Sequence, residues 1–117
     1  MKPKRPCRMK IGAHWYRIEW MPEEKIDGKY VGLCLHRKKV LRIAAELPLR
    51  MVVQTLIHEA MHAIYYEYGL TNSEQAPDDY AAGMCSEENA VNVLSLGLAT
   101  ILTDNPDVRR YIMWALR

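Results

Sequence analysis

At Leu49 the hydrophobic period of the chain changes, and that switch limits the possible folds more than any other feature. Before it, "HWYRIEW", from His14 to Trp20, alternates large residues with polar ones and stops at Met21-Pro22, as a strand running into a loop does. "KYVGLCL" and "KKVLRIAA" are also rich in apolar and β-branched residues, and the gaps "PEEKIDGK" and "HRKK" hold turn formers or charges. Simple connections between consecutive strands predict a small antiparallel sheet of about three strands ahead of residue 47. After the switch, Val52, Val53, Leu56, Ile57, Ala60, Met61 and Ile64 recur at offsets of three and four, until Gly69 supplies a stop. A second helix is expected from Ser86, a good N-cap, with Ala90, Val91, Leu94, Leu98, Ile101 and Leu102 along one face. Asn105-Pro106-Asp107 then reads as the N-cap, first-turn Pro and first-turn acid of a third helix reaching about Leu116. The class is α+β, with the strands first and the three helices after them.

A chain of 117 residues, half of them apolar, suffices for one core and is too short for two ordinary domains, so residues 1–117 are read as a single domain. Phe is absent, which leaves the core to aliphatic side chains, Met, Tyr and Trp. The opening "MKPKRPCRMK" carries five bases and no acid, and residues 1–12 are read as a flexible basic tail. A net charge of +2 is too small to imply a polyanion partner for the whole molecule, and nucleic acid is not expected as one. No apolar run approaches the roughly 18 residues of a membrane span, and the N-terminus lacks the apolar stretch of a secretory signal. A cytoplasmic protein without membrane association is expected. Cys7, Cys34 and Cys85 fit neither a disulfide framework nor a CxxC knuckle, so free thiols are the expectation.

The first helix contains "TLIHEAMHAIYYEYG". Residues four apart on a helix stand one turn above the other, so His58 and His62 can aim their imidazoles at one point, as a single metal ion requires. Neutral imidazole nitrogen suits Zn2+, and Glu59 is placed to accept a proton from a water held there. His58 and His62 fall almost opposite the apolar stripe, together with Met51, Thr55 and Tyr65. Zinc normally takes a third protein ligand. The second helix opens with Glu87-Glu88, and a helical turn holds a ligand better than the polar stretch "GLTNSEQAPDDYAAGMCS" would. Glu87 lies near the centre of the face carrying Val91, Leu94 and Leu98. Glu88 has Asn92 one turn on, able to hydrogen-bond a ligating histidine, and the choice leans to Glu88 with Glu87 open. Tyr65, Tyr66 or Tyr80 are candidate oxyanion donors, while His14 and His36 lack ligand spacing and are read as structural. The connection from Gly69 to Ser86 is expected to border the site, because it joins the two ligand-bearing helices. A segment at residues 40–44 is the expected edge strand for aligning an extended substrate.

These residues resemble a family. "TLIHEAMHAIYYEYG" followed by "SEENAVNVLSLGLATILTDNP", with "DGKYVGLCLHRKKVLRIAAELP" before them, is similar to the small zincin-type metallopeptidases encoded by phages and prophages. The similarity covers most of residues 14 to 114. It implies a minimal zincin-like, gluzincin fold with His58 and His62 as zinc ligands, Glu59 as catalytic base and a glutamate of the second helix as third ligand. "ENAVNVLS" more distantly resembles the Glu-x-x-Ala-Asn segment of ImmA/IrrE-type metallopeptidases, which places the ligand at Glu88, with Val91 where that family has Ala. The implied activity is hydrolysis of peptide bonds in an intracellular protein substrate, in the host cytoplasm if the chain is phage-encoded. The alternative is a zinc-binding module of the same fold without peptidase activity.

Overall fold

The computed structural model describes residues 2–22, 31–69 and 87–117, with side chains from Ala90 onward in the last segment. Four strands and three helices follow one another: β1 (Arg8–Ile11), β2 (His14–Met21), β3 (Gly32–Leu35), β4 (Val40–Ala44), α1 (Leu49–Glu67), α2 (Glu87–Asp104) and α3 (Pro106–Ala115). The α+β order is as expected, but the sheet differs in two ways.

First, a strand lies in the segment read as a tail. Arg8-Met9-Lys10-Ile11 alternates, with Met9 and Ile11 buried in the core and the two cations on the opposite face. Its charges hide a period-2 pattern that is short but regular. The strand folds back onto β2 through Gly12 and Ala13, with Ile11 opposite His14 and Arg8 opposite Arg17. Gly12 takes the positive φ of 61° that such a tight connection favours.

Second, the sheet is mixed, in the order β1-β2-β4-β3. β4 runs parallel to β2 and antiparallel to β3, so it lies inside the sheet rather than at the edge expected for residues 40–44. The physical reason is its composition. "VLRIA" is buried at four of its five positions, as suits a central strand, whereas "GLCL" contains a glycine and is only partly covered.

The register puts Met9, Ile11, His14, Tyr16, Ile18, Trp20, Leu41, Ile43, Gly32 and Cys34 on one face of the sheet. The helices cover that face. One buried cluster runs from Met9, Ile11, Tyr16, Leu41 and Ile43 through Val52, Leu56, Ala60 and Ile64 of α1 to Ile101 of α2 and Val108 of α3. At the last turn of α1, Glu67 would face the negative end of its own helix. Three donors hold it there: His14 Nδ1 at 2.6 Å, the Tyr16 hydroxyl at 2.6 Å and Lys39 Nζ at 2.5 Å. Burial works to raise the Glu67 pKa, but the hydrogen bonds from Lys39, Tyr16 and His14 and the Lys39 charge prevail and hold it below the ordinary carboxylate value. No helix of the described residues is long and apolar enough to cross a membrane.

Asn105 is not the side-chain cap that its position suggests. α3 begins after it without a side-chain cap bond, although its carbonyl accepts from Arg109 N–H. The buried amide turns instead to β1: Lys10 N–H donates to its Oδ1 at 2.7 Å, and its Nδ2 donates to Lys10 O at 3.0 Å and to Ile101 O at 2.9 Å.

Candidate active site

Helix α1 lies against β3 and β4 because the strip Val52, Thr55, Leu56, Glu59, Ala63 is buried on that side. Thr55 and Glu59 are polar residues in that strip, at 6% and 7% exposure. Thr55 satisfies its hydroxyl by donating to Met51 O at 2.7 Å. Their burial depends on Gly32 of β3. A Cβ at Gly32 would come within 2.6 Å of Thr55 Cγ2, a distance that real side chains do not tolerate, and within a tight 3.0 Å of Glu59 Cγ and Oε2. The missing side chain is therefore what lets the helix carry Glu59 up to the strand.

His58 and His62 stand one turn apart, with ring centroids 4.9 Å apart, edge to face. Their Nε2 atoms converge to 3.2 Å. Two nitrogen ligands at about 2.0–2.1 Å from a tetrahedral zinc are separated by about 3.3 Å, so the pair has the spacing of one edge of a zinc coordination sphere. Burial lowers the His62 pKa, with the neighbouring His58 acting in the same direction, which favours the neutral imidazole that a metal needs. Burial also raises the pKa of Glu59, against the opposing influence of His58. The residues present thus fit a zinc ion and a proton acceptor beside it. Among the described residues, no three His, Cys, Asp or Glu side chains gather as a complete ligand set. Glu87 and Glu88 begin α2, but their side chains lie outside the described residues, as do Tyr80, Cys85 and the connection from residue 70 to Ser86.

Two pockets open on the site. The larger, about 350 Å³, lies between β3 and α1 and is lined by Val31, Gly32, Met51, Gln54, Thr55, His58 and Glu59. The smaller, about 170 Å³, is bounded by His58, Met61, His62, Tyr65 and Leu94, which brings α2 to the histidine pair. Tyr65 is thus beside the site, whereas Tyr66 stacks on His36 at 3.6 Å between centroids. Asn92, considered as a support for a ligating histidine, is exposed on α2, and His14 belongs to the Glu67 cluster. Cys34 lies between the two acidic groups of α1, and burial, aided by the charges of Glu59 and Glu67, pushes its thiol up to about 12.

Gly32 escaped the sequence reading, although a glycine inside a strand pattern, "VGLCL", is the ordinary signal of a close backbone approach. Its strand has a further consequence. Ala44 N–H donates to Val31 O at 2.8 Å, so Val31 and Ala44 form a hydrogen-bonded pair in the antiparallel ladder. By alternation, the backbone groups of Gly32 and Cys34 point away from β4 to the outer edge. Among the described residues nothing bonds to them. Comparison of the chain with protein-family models, curated proteins and solved structures gives no match.

Proposed function

We propose that the protein is a zinc-dependent metallopeptidase of the small zincin type, hydrolysing peptide bonds in a protein substrate. One observation carries the reading: His58, whose Nε2 converges with that of His62, and the buried Glu59 line a groove whose other wall is the outer edge of β3. A histidine pair that served only as a structural clamp would require neither a buried carboxylate beside it nor a strand edge in front of it.

His58 and His62 hold the metal, with a first-turn glutamate of α2 as third ligand. Helical phase supports Glu87 over Glu88: position 87 is seven residues before Leu94, within about 20° of its phase, while position 88 shares the phase of the exposed Ser95. Metal content of Glu87→Ala and Glu88→Ala proteins decides between them. Zinc, when bound, supplies Lewis acidity to a carbonyl and lowers the pKa of water. An extended substrate adds to β3 through the backbone groups of Gly32 and Cys34, so that main-chain hydrogen bonds set its register across the groove. Glu59 then takes the proton from the attacking water and returns it to the leaving amine. Burial of Glu59 against Gly32 holds the carboxylate in place for both transfers. Tyr65, which lines the pocket at the histidine pair, is the tyrosine assigned the role of donor to the carbonyl oxygen in this reading.

The test compares wild type with Glu59→Gln, which keeps the shape of the side chain and no ligand. Both proteins are expected to hold zinc equally, and protein termini generated in cells expressing the wild type should vanish with the variant. Identical terminus profiles from two folded, zinc-loaded proteins would leave only a zinc-binding module. Loss of zinc in Glu59→Gln would remove Glu59 from the role of base.

A further inference from the structure

On the sheet face away from the helices, the part formed by β1 and β2 is rich in charge, while Leu33, Leu35, Val40 and Ala44 make the β3–β4 part largely apolar. The register places Arg8 and Lys10 of β1, Trp15, Arg17 and Glu19 of β2 and Arg42 of β4 together on this face. Four cations meet a single carboxylate there. Arg8 stands directly opposite Arg17, an arrangement that costs stability in an isolated sheet. The backbone N–H of Arg17 also donates to Lys39 O, which brings the turn carrying exposed Arg37 and Lys38 to the same end of the sheet. Glu19 divides itself between Arg17 at 2.8 Å and Arg42 at 2.9 Å, and those hydrogen bonds, Arg42 foremost, hold its pKa below the usual value. Among the described residues it forms no ion pair with Arg8 or Lys10.

An aromatic ring lies in the middle of this charge. Trp15 is 46% exposed, and the Arg8 guanidinium sits over its ring at 4.1 Å from the centroid. The ring is therefore presented as a stacked plane, not as a wedge projecting for insertion. Exposed planes surrounded by cations at strand spacing match a chain of phosphates whose bases are free to stack, and a duplex keeps its bases inside.

We propose that this sheet face binds single-stranded nucleic acid, with a base stacked on the Trp15–Arg8 platform and phosphates held by Arg8, Lys10, Arg17 and the Arg37–Lys38 turn. The surface is on the opposite side of the sheet from α1, so it is independent of the peptidase reading, and Glu59→Gln is expected to bind as the wild type does. No one segment of the chain carries the patch, which joins residues 8–10, 15–17 and 37–38.

The measurement is fluorescence anisotropy of labelled thymidine and uridine oligomers of about 12 nucleotides, titrated with the intact protein at several salt concentrations. Saturable binding is expected, with a slope of log affinity against log salt of about −2 to −3.5 for three to five neutralised phosphates. Trp15→Ala weakens binding roughly tenfold and Trp15→Tyr restores most of it. Arg8→Ala with Arg17→Ala makes the salt slope shallower by about 1.4. Arg110→Ala, which removes one cation from α3, leaves affinity within about twofold, and thermal unfolding verifies that each variant is folded. Absence of saturable binding at about 50 mM salt overturns the proposal. So does an equal loss in Arg110→Ala, or adsorption to phosphatidylserine vesicles without any binding of the oligomers.

Discussion

The two edges of the sheet are treated in opposite ways. On β1 the backbone groups of Arg8 and Lys10 point outward, and the buried Asn105 amide occupies both of those at Lys10. On β3 the outward groups are those of Gly32 and Cys34, and no described residue meets them. An open edge is a liability, since it templates pairing with any extended chain. Here the edge remote from the histidines is capped at Lys10 by a side chain brought from 95 residues away, and the one facing Glu59 is met by no described residue. The difference teaches that two edges of one sheet can be treated unequally: Lys10 is capped by Asn105, while the groups of Gly32 and Cys34 lie beside the proposed site without a described partner.

Breaking the capped edge has the largest expected effect. Asn105→Ala leaves the Lys10 N–H and C=O without their partners, while Ile101 O keeps the backbone N–H of residue 105, and the change is expected to cost about 3 kcal/mol, a fall in Tm on the order of 10 °C. Thermal unfolding measures it, and activity per folded molecule should be unchanged. Obstructing the open edge is expected to cost less stability and more function. Gly32→Ala drives a methyl group into Thr55 and Glu59, losing about 2 kcal/mol, and moves β3 off the helix so that proteolysis falls by about 100-fold while zinc content persists. Retained proteolysis in that variant would mean that the β3 edge does not position the substrate.

A third change touches neither edge. Glu67 has a depressed pKa in the folded state, so its contribution to stability is complete above the unfolded carboxylate pKa and is lost as pH falls through the folded one. Wild type should therefore lose more stability than Glu67→Gln between about pH 6 and about pH 3, as read from denaturant midpoints. The smallest effect sharpens the comparison directly. Amide hydrogen exchange should be slow at Lys10, whose N–H is held by Asn105, and fast at Gly32 and Cys34. A non-cleavable extended peptide should slow the latter two and leave Lys10 as it was. Protection of Gly32 and Cys34 in the free protein would show that the β3 edge is already covered.

Much of the fold was legible because it depends on local periodicity. The offsets of three and four from Val52 to Ile64 belong to one helix whatever packs on it, and His58, Glu59 and His62 share a turn by spacing alone. Asn105-Pro106-Asp107 likewise marks the start of α3, although the amide is used elsewhere. The alternation of Arg8 to Ile11 was equally local, yet five bases in ten residues outweighed four residues of pattern.

What the sequence determined by itself is therefore the set of elements and the histidine spacing, since both arise from contacts among residues a few positions apart. Only the tertiary structure decided the order of the strands, the choice of β3 as the edge beside Glu59, the capping of β1 at Lys10 by Asn105 and the gathering of Arg8, Trp15, Arg17, Arg37 and Lys38. Each of these rests on pairing between segments distant in the chain. Pairing is governed by which strand is apolar on both faces and which glycine admits a helix, and those comparisons are made across the whole molecule at once.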